Sequence, residues 1–179
     1  VSSMGRLAVV TNIRNPDGPD PEKASRGALV GNWLSEGCAP ALDELPGYNP
    51  FNLLLYGQGK TVLLSNLPQP QSQLLDAGIH GLSNGHPGEP WPRRSTAEMA
   101  LSDWIARDGA PADLFGILRD ESLLDDGGVP IFINAPVYGT RCSTVVLVDA
   151  EGKGLISERR FNPDGSHAGE TSVKFLWPE

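Results

Sequence analysis

Two hydrophobic periods alternate along the chain. Residues 6–12 (Arg-Leu-Ala-Val-Val-Thr-Asn) form a mostly apolar run that predicts a largely buried strand. Asn15-Pro16 and Asp17-Gly18-Pro19 then break the chain into a loop. From Ser25 the period lengthens. Leu29, Val30, Trp33 and Leu34 fall on one helical face, and Gly37 is placed to stop the helix. A short turn is predicted over residues 41–45. Strands follow over 52–57 and 61–65, with Gly57-Gln-Gly59-Lys60 between them as a hairpin turn. Residues 68–72 read as a polar connector, 79–84 as a short strand ending at Asn84-Gly85, and 87–92 as a rigid loop holding Trp91 between prolines.

Two helices are predicted next. Ser95-Thr-Ala-Glu98 has the capping-box pattern, with Ala97, Leu101, Trp104 and Ile105 on the apolar face and Gly109 at the end. The second helix starts near Pro111 and turns Leu114, Phe115 and Leu118 inward. After a loop over 125–130, the last third predicts strands over 143–149, 155–161 and 171–177. In the last of these Thr171, Val173, Phe175 and Trp177 alternate with polar residues. About seven strands joined by tight turns, with three helices, indicate an α+β class of mainly antiparallel sheets covered by helices. No internal repeat and no dividing linker is visible, so residues 1–179 are read as one domain.

Composition narrows the partners. The 179 residues carry a net charge of −8 and no block of Lys or Arg, which excludes a nucleic-acid interface and disfavours an anionic membrane surface. The longest apolar runs, 53–56 and 145–148, are far short of the ~20 residues a spanning helix needs. Cys38 and Cys142 give neither a disulfide framework nor a zinc pattern. With no secretory leader pattern visible, a reducing, cytoplasmic setting is expected.

The chemistry-bearing residues are sparse. His80, His86 and His167 are scattered without metal-ligand spacing, so no metal is expected. Haem ligation by His80 or Cys142 lacks an attachment motif, and no cofactor is assigned. Gly57-Gln-Gly59-Lys60 lacks the rest of a phosphate loop. Ser83 and Ser143 have no elbow motif and no base nearby in sequence. Three strand ends stand out: Thr11-Asn12, Ser83-Asn84 and Thr140-Arg141. Asn is poor in strands, and an Arg beside an apolar strand needs partners or water. Either these residues begin turns and pair locally, or they meet in a cleft as two amide dipoles and one cation. Such a set suits an oxyanion or a thiolate.

The motifs Gly5-Arg-Leu-Ala-Val-Val-Thr-Asn12, Ser25-Arg-Gly-Ala-Leu-Val30, Tyr48-Asn-Pro-Phe-Asn-Leu-Leu54 and Gly81-Leu-Ser-Asn84 occur in one order. They continue with Pro90-Trp-Pro-Arg93, Tyr138-Gly-Thr-Arg141 and Glu158-Arg-Arg-Phe161. Together this order resembles the NRDE family of transport and Golgi organisation 2-like proteins. The resemblance implies an N-terminal-nucleophile hydrolase-like fold, an αββα sandwich related to choloylglycine and penicillin acylases. It implies a Cys nucleophile in a Met-Cys start followed by an Asn-Arg-Asp-Glu motif. Neither is present here, so the chain is expected to be the C-terminal part of a longer domain. By the same resemblance Asn12 helps form the oxyanion hole, Asn84 is a second active-site Asn, and Arg141 keeps the thiol ionised. These three are the candidate catalytic residues.

Two functions follow from the resemblance. One is a binding or trafficking protein for a small-molecule ligand, haem or an acyl lipid. The other is a cysteine-dependent amidohydrolase acting on linear amides. A third reading leaves the polar strand ends purely structural.

Overall fold

A computed structural model describes residues 1–123 and 128–178. Among these, seven strands and three α-helices follow the order β1 (Leu7–Asn12), α1 (Arg26–Glu36), β2 (Phe51–Gly57), β3 (Lys60–Ser65), β4 (Gln71–Leu75), α2 (Pro92–Ala106), α3 (Leu114–Leu118), β5 (Cys142–Val148), β6 (Lys153–Phe161) and β7 (His167–Leu176). Two antiparallel sheets result, β1-β2-β3-β4 and β5-β6-β7. The fold class is therefore α+β. The chain forms two compact units. The first comprises Val1–Gly78 with Leu82–Pro90, and the second Ile79–Gly81 with Trp91–Trp177.

In the first unit the pleat sends alternate residues to opposite faces of the sheet. Ala8, Val10, Phe51, Leu53, Leu55, Val62 and Leu64 line one face, where Leu29, Val30 and Trp33 of α1 and Leu45 pack against them. Phe51, Leu53 and Leu45 are fully buried, each contributing about 1.5–3 kcal/mol of apolar transfer. Helix α1 ends where predicted, at Gly37. Arg6 secures that end, donating from Nη1 to the carbonyls of Trp33 and Leu34 at 3.3 and 3.1 Å. The β2–β3 hairpin closes through Gln58 and Gly59, both at positive φ (53° and 70°). This two-residue turn matches the strand twist and favours Gly, so Gly57-Gln-Gly59-Lys60 is a hairpin turn.

In the second unit Phe115, Phe132, Val145, Phe161 and Trp177 form the buried core. Phe132 and Phe161 meet edge to face at 4.7 Å. The Arg119 guanidinium lies 3.7 Å above the Phe132 ring, and Arg159 lies 4.2 Å above Phe115.

Four local expectations change. Residues 79–84 are not a strand but an irregular segment held by side chains. The missing strand is β4, within and beyond the polar connector; its Gln-Ser-Gln start hides the pairing with β3. Helix α2 begins at Pro92, with Trp91 as N-cap and no side-chain cap bond. Proline at the first helical position has the φ a helix needs and no N–H to satisfy. The capping box is not formed, because Ser95 lies inside the helix rather than at its N-cap, and Glu98 Oε1 accepts from the Gly81 N–H at 2.7 Å. Strand β1 is half-buried, with Val9 43% exposed, because it is an edge strand. Part of the loop predicted over 125–130 (125–127) lies outside the described residues.

Candidate functional site

The face of the first sheet opposite α1 carries a row of polar side chains. Direct cross-strand partners point to the same face, so Thr11, Asn52, Ser65 and Gln71 form one polar row across all four strands. The next row on that face is Val9, Leu54, Leu63 and Gln73, and the one after it Leu7, Tyr56, Thr61 and Leu75. A polar end thus adjoins a largely apolar surface.

The segment around Asn84 is bound to the polar row. Thr11 Oγ1 donates to the Ser83 carbonyl at 3.1 Å. Asn52 Nδ2 donates to the carbonyls of Gly85 at 2.8 Å and Ser83 at 3.3 Å, with Thr11 Oγ1 at 3.4 Å. Asn84 Nδ2 donates to the Asn12 carbonyl at 2.9 Å, and the Asn84 carbonyl accepts from the Arg14 N–H at 2.8 Å. Asn12 and Asn84 are therefore brought together, both exposed at the end of β1. They meet through the Asn12 backbone rather than side chain to side chain. An amide has two N–H donors, so this bond uses one of the two that Asn84 has.

Farther along the row, Ser65 Oγ donates to the carbonyls of Phe51 and Leu67 at 3.2 and 3.0 Å. Gln71 Nε2 also donates to Leu67, at 3.1 Å. Asn52 and Ser65 are fully buried.

Arg141 belongs to the second unit. Its exposed side chain leads into β5, and its carbonyl accepts from the Phe161 N–H at 2.9 Å. A Cβ on Gly139 would stand 3.0 Å from the Ile133 carbonyl oxygen and 3.1 Å from Arg141 Nη1. Glycine therefore leaves room for the guanidinium in the Tyr138-Gly-Thr-Arg141 motif. His80 and Cys142, considered for haem, are exposed residues of the same unit.

Sequence reasoning passed over Asn52. Its signal is an asparagine inside the otherwise apolar run Phe51-Asn-Leu-Leu-Leu55, where a strand residue with an amide must find buried partners. No described helix is long and apolar enough to cross a membrane.

The chain is 29% identical to the transport and Golgi organization protein 2 homolog of Homo sapiens over 203 aligned positions, covering 93% of this chain and 73% of that protein. It is 25% identical to the Mus musculus transport and Golgi organization 2 homolog over 208 positions, covering 97% and 75%. The Bos taurus homolog is 29% identical over 194 positions, covering 89% and 70%. The family model for transport and Golgi organisation 2 matches residues 1–163, nearly the whole chain, and the chain belongs to that family.

Proposed function

We propose that this protein is a binding protein of a transport type, holding an acyl lipid by its chain and its polar head. One observation supports this reading above others. The polar row Thr11–Asn52–Ser65–Gln71, with Asn84 tied to the Asn12 backbone carbonyl at its end, borders the row Val9–Leu54–Leu63 on one sheet face. Binding sites for small molecules are mostly apolar with a few placed polar groups, and a hydrocarbon chain with an amide or carbonyl head matches that order. Haem is the weaker choice, since the polar groups of this face are amides and hydroxyls rather than axial ligands.

The test uses N-palmitoylglycine below its micelle concentration, with hemin in parallel. Saturable binding of the acyl amide is expected. The exposed Val9→Glu should weaken it by about tenfold or more, the scale of withdrawing one apolar side chain from the ligand, with the melting temperature kept. Equal binding by wild type and Val9→Glu would sink the acyl-lipid reading.

The second reading, cysteine-dependent hydrolysis of a linear amide, draws on the pairing of Asn84 with Asn12. The nucleophile would come from a Met-Cys start, and Arg141 would be the cation that keeps it ionised. The same ligand separates the readings. A carrier releases N-palmitoylglycine intact, whereas a hydrolase carrying that start releases palmitate and shows a palmitoyl-enzyme adduct by intact mass.

A further inference from the structure

We infer that Asn52 is the positioning residue of this site, fixing Asn84 from beneath; the inference rests on the reading of Asn12 and Asn84 as the ligand-binding end. Asn52 is fully buried in β2. Its Nδ2 donates to the carbonyls on both sides of Asn84, those of Ser83 and Gly85, at 3.3 and 2.8 Å. The backbone before and after Asn84 is thereby clamped to the sheet. The Asn84 amide then has a fixed direction toward the Asn12 carbonyl, and its second N–H a fixed direction outward. Residues 82–86 belong to no strand, so side-chain bonds do here what a ladder does elsewhere.

The other end of the amide supports the assignment. Asn52 Oδ1 is buried and has no hydrogen-bond partner among the described residues. Leaving a buried acceptor unmade is unfavourable, so a residue kept only for packing would be better as Leu. The donor is what the position uses. Thr11 adds a second donor to the Ser83 carbonyl, but none to Gly85.

The experiment follows amide hydrogen exchange by NMR at Arg14, whose N–H donates to the Asn84 carbonyl, with the β2–β3 ladder amides as internal reference. Asn52→Leu removes both donors and the orphan acceptor and keeps the number and branching of the side-chain heavy atoms. Its melting temperature should fall by several degrees, because the buried Gly85 carbonyl loses its side-chain donor, its Arg14 exchange should rise about tenfold beyond any rise of the ladder amides, the scale of breaking one hydrogen bond, and its affinity for N-palmitoylglycine should fall. Unchanged Arg14 exchange, or a rise shared equally with the ladder amides, would overturn the assignment. A wild-type measurement stands independently of that variant. The Asn52 side-chain N–H protons should exchange far more slowly than those of Asn12, and equal rates would also overturn it. Should wild type bind no N-palmitoylglycine while Arg14 responds to Asn52→Leu, the acyl-lipid reading fails and the positioning of Asn84 stands.

Discussion

The two sheets hold their irregular segments by different chemistry. In the first unit neutral amides do the holding. Asn52 ties down residues 83–85, and Asn49 pairs with both backbone groups of Asp20 at 2.8 Å each. Asn66 accepts from the Phe51 N–H at 2.9 Å and donates to the carbonyls of Leu45 and Tyr48 at 3.1 Å. In the second unit cations over aromatic rings take that part. Arg119 covers Phe132 and donates to the Gly165 carbonyl at 3.1 Å, while Arg159 covers Phe115 and pairs with Glu170 at 2.9 Å. The difference follows from burial. A neutral amide can be buried if its bonds are made, whereas an ion is far more costly to desolvate. The first unit can therefore place polar groups under a loop at the site. The arginines of the second unit keep part of their charge in water.

The largest effect that tests this contrast is expected at Asn66. Asn66→Ala takes their side-chain partner from the Phe51 N–H and the Tyr48 carbonyl, at about 1–3 kcal/mol for each buried group, whereas the Leu45 carbonyl keeps the Tyr48 N–H at 3.2 Å. A loss of about 3 kcal/mol is expected in urea unfolding, with the transition slope unchanged. A loss under about 0.5 kcal/mol, as for an ordinary surface substitution, would show that buried amides do not hold this unit.

Arg119 should matter less. Its stacking on Phe132 and bond to Gly165 are partly in water, and its pairing with Glu121 is surface-exposed and contributes little. Arg119→Ala is expected to cost about 2 kcal/mol, because it removes both the stacked cation and the packing of the side-chain stem. Arg119→Lys should fall between, since it keeps charge but loses the planar stack. Equal stability of the Lys variant and wild type would make the role one of charge alone.

What the sequence made legible follows the same division. Period and turn chemistry mark α1, the β2–β3 hairpin and the strands of the last third, because their signals are local: Leu29 and Trp33 on one face, Gln58-Gly59 in a turn, Asn162 to Gly165 between β6 and β7. Strand β4 was hidden because Gln71, Ser72 and Gln73 show no apolar alternation; the pairing with β3 makes it a strand. Residues 79–84 misled for the opposite reason. Their apolar content resembles a strand, but they have no ladder: their backbone partners are the side chains of Thr11, Asn52 and Glu98 and one backbone N–H, that of Arg14. The pairing of Asn12 with Asn84 was readable only as two polar strand ends in a family's order. Asn52 was not readable as their support, since the bonds that give it meaning span 31 and 33 residues.

The smallest expected effect lies in the β6–β7 turn and tests whether charge matters in the second unit away from its rings. The Ser166 hydroxyl, at 2.7 Å, and the Ser166 backbone N–H, at 2.9 Å, both donate to Asp164 Oδ1. These bonds favour the ionised carboxylate and lower its pKa below the ordinary 3.8. A depressed folded-state pKa means the unfolded chain binds the proton first as pH falls. The turn's contribution is therefore full above 3.8 and is lost as pH drops through the lower folded value. Asp164 is exposed, so the effect should be a shallow slope at acid pH. Asp164→Asn keeps an acceptor and removes the titration. Its melting temperature should match wild type near neutral pH to within a degree or two, the scale of an ordinary surface substitution, and decline less steeply in acid. Parallel acid profiles for the two proteins would remove Asp164 from the turn's pH response. They would leave the stacked arginines as the charge that shapes this unit.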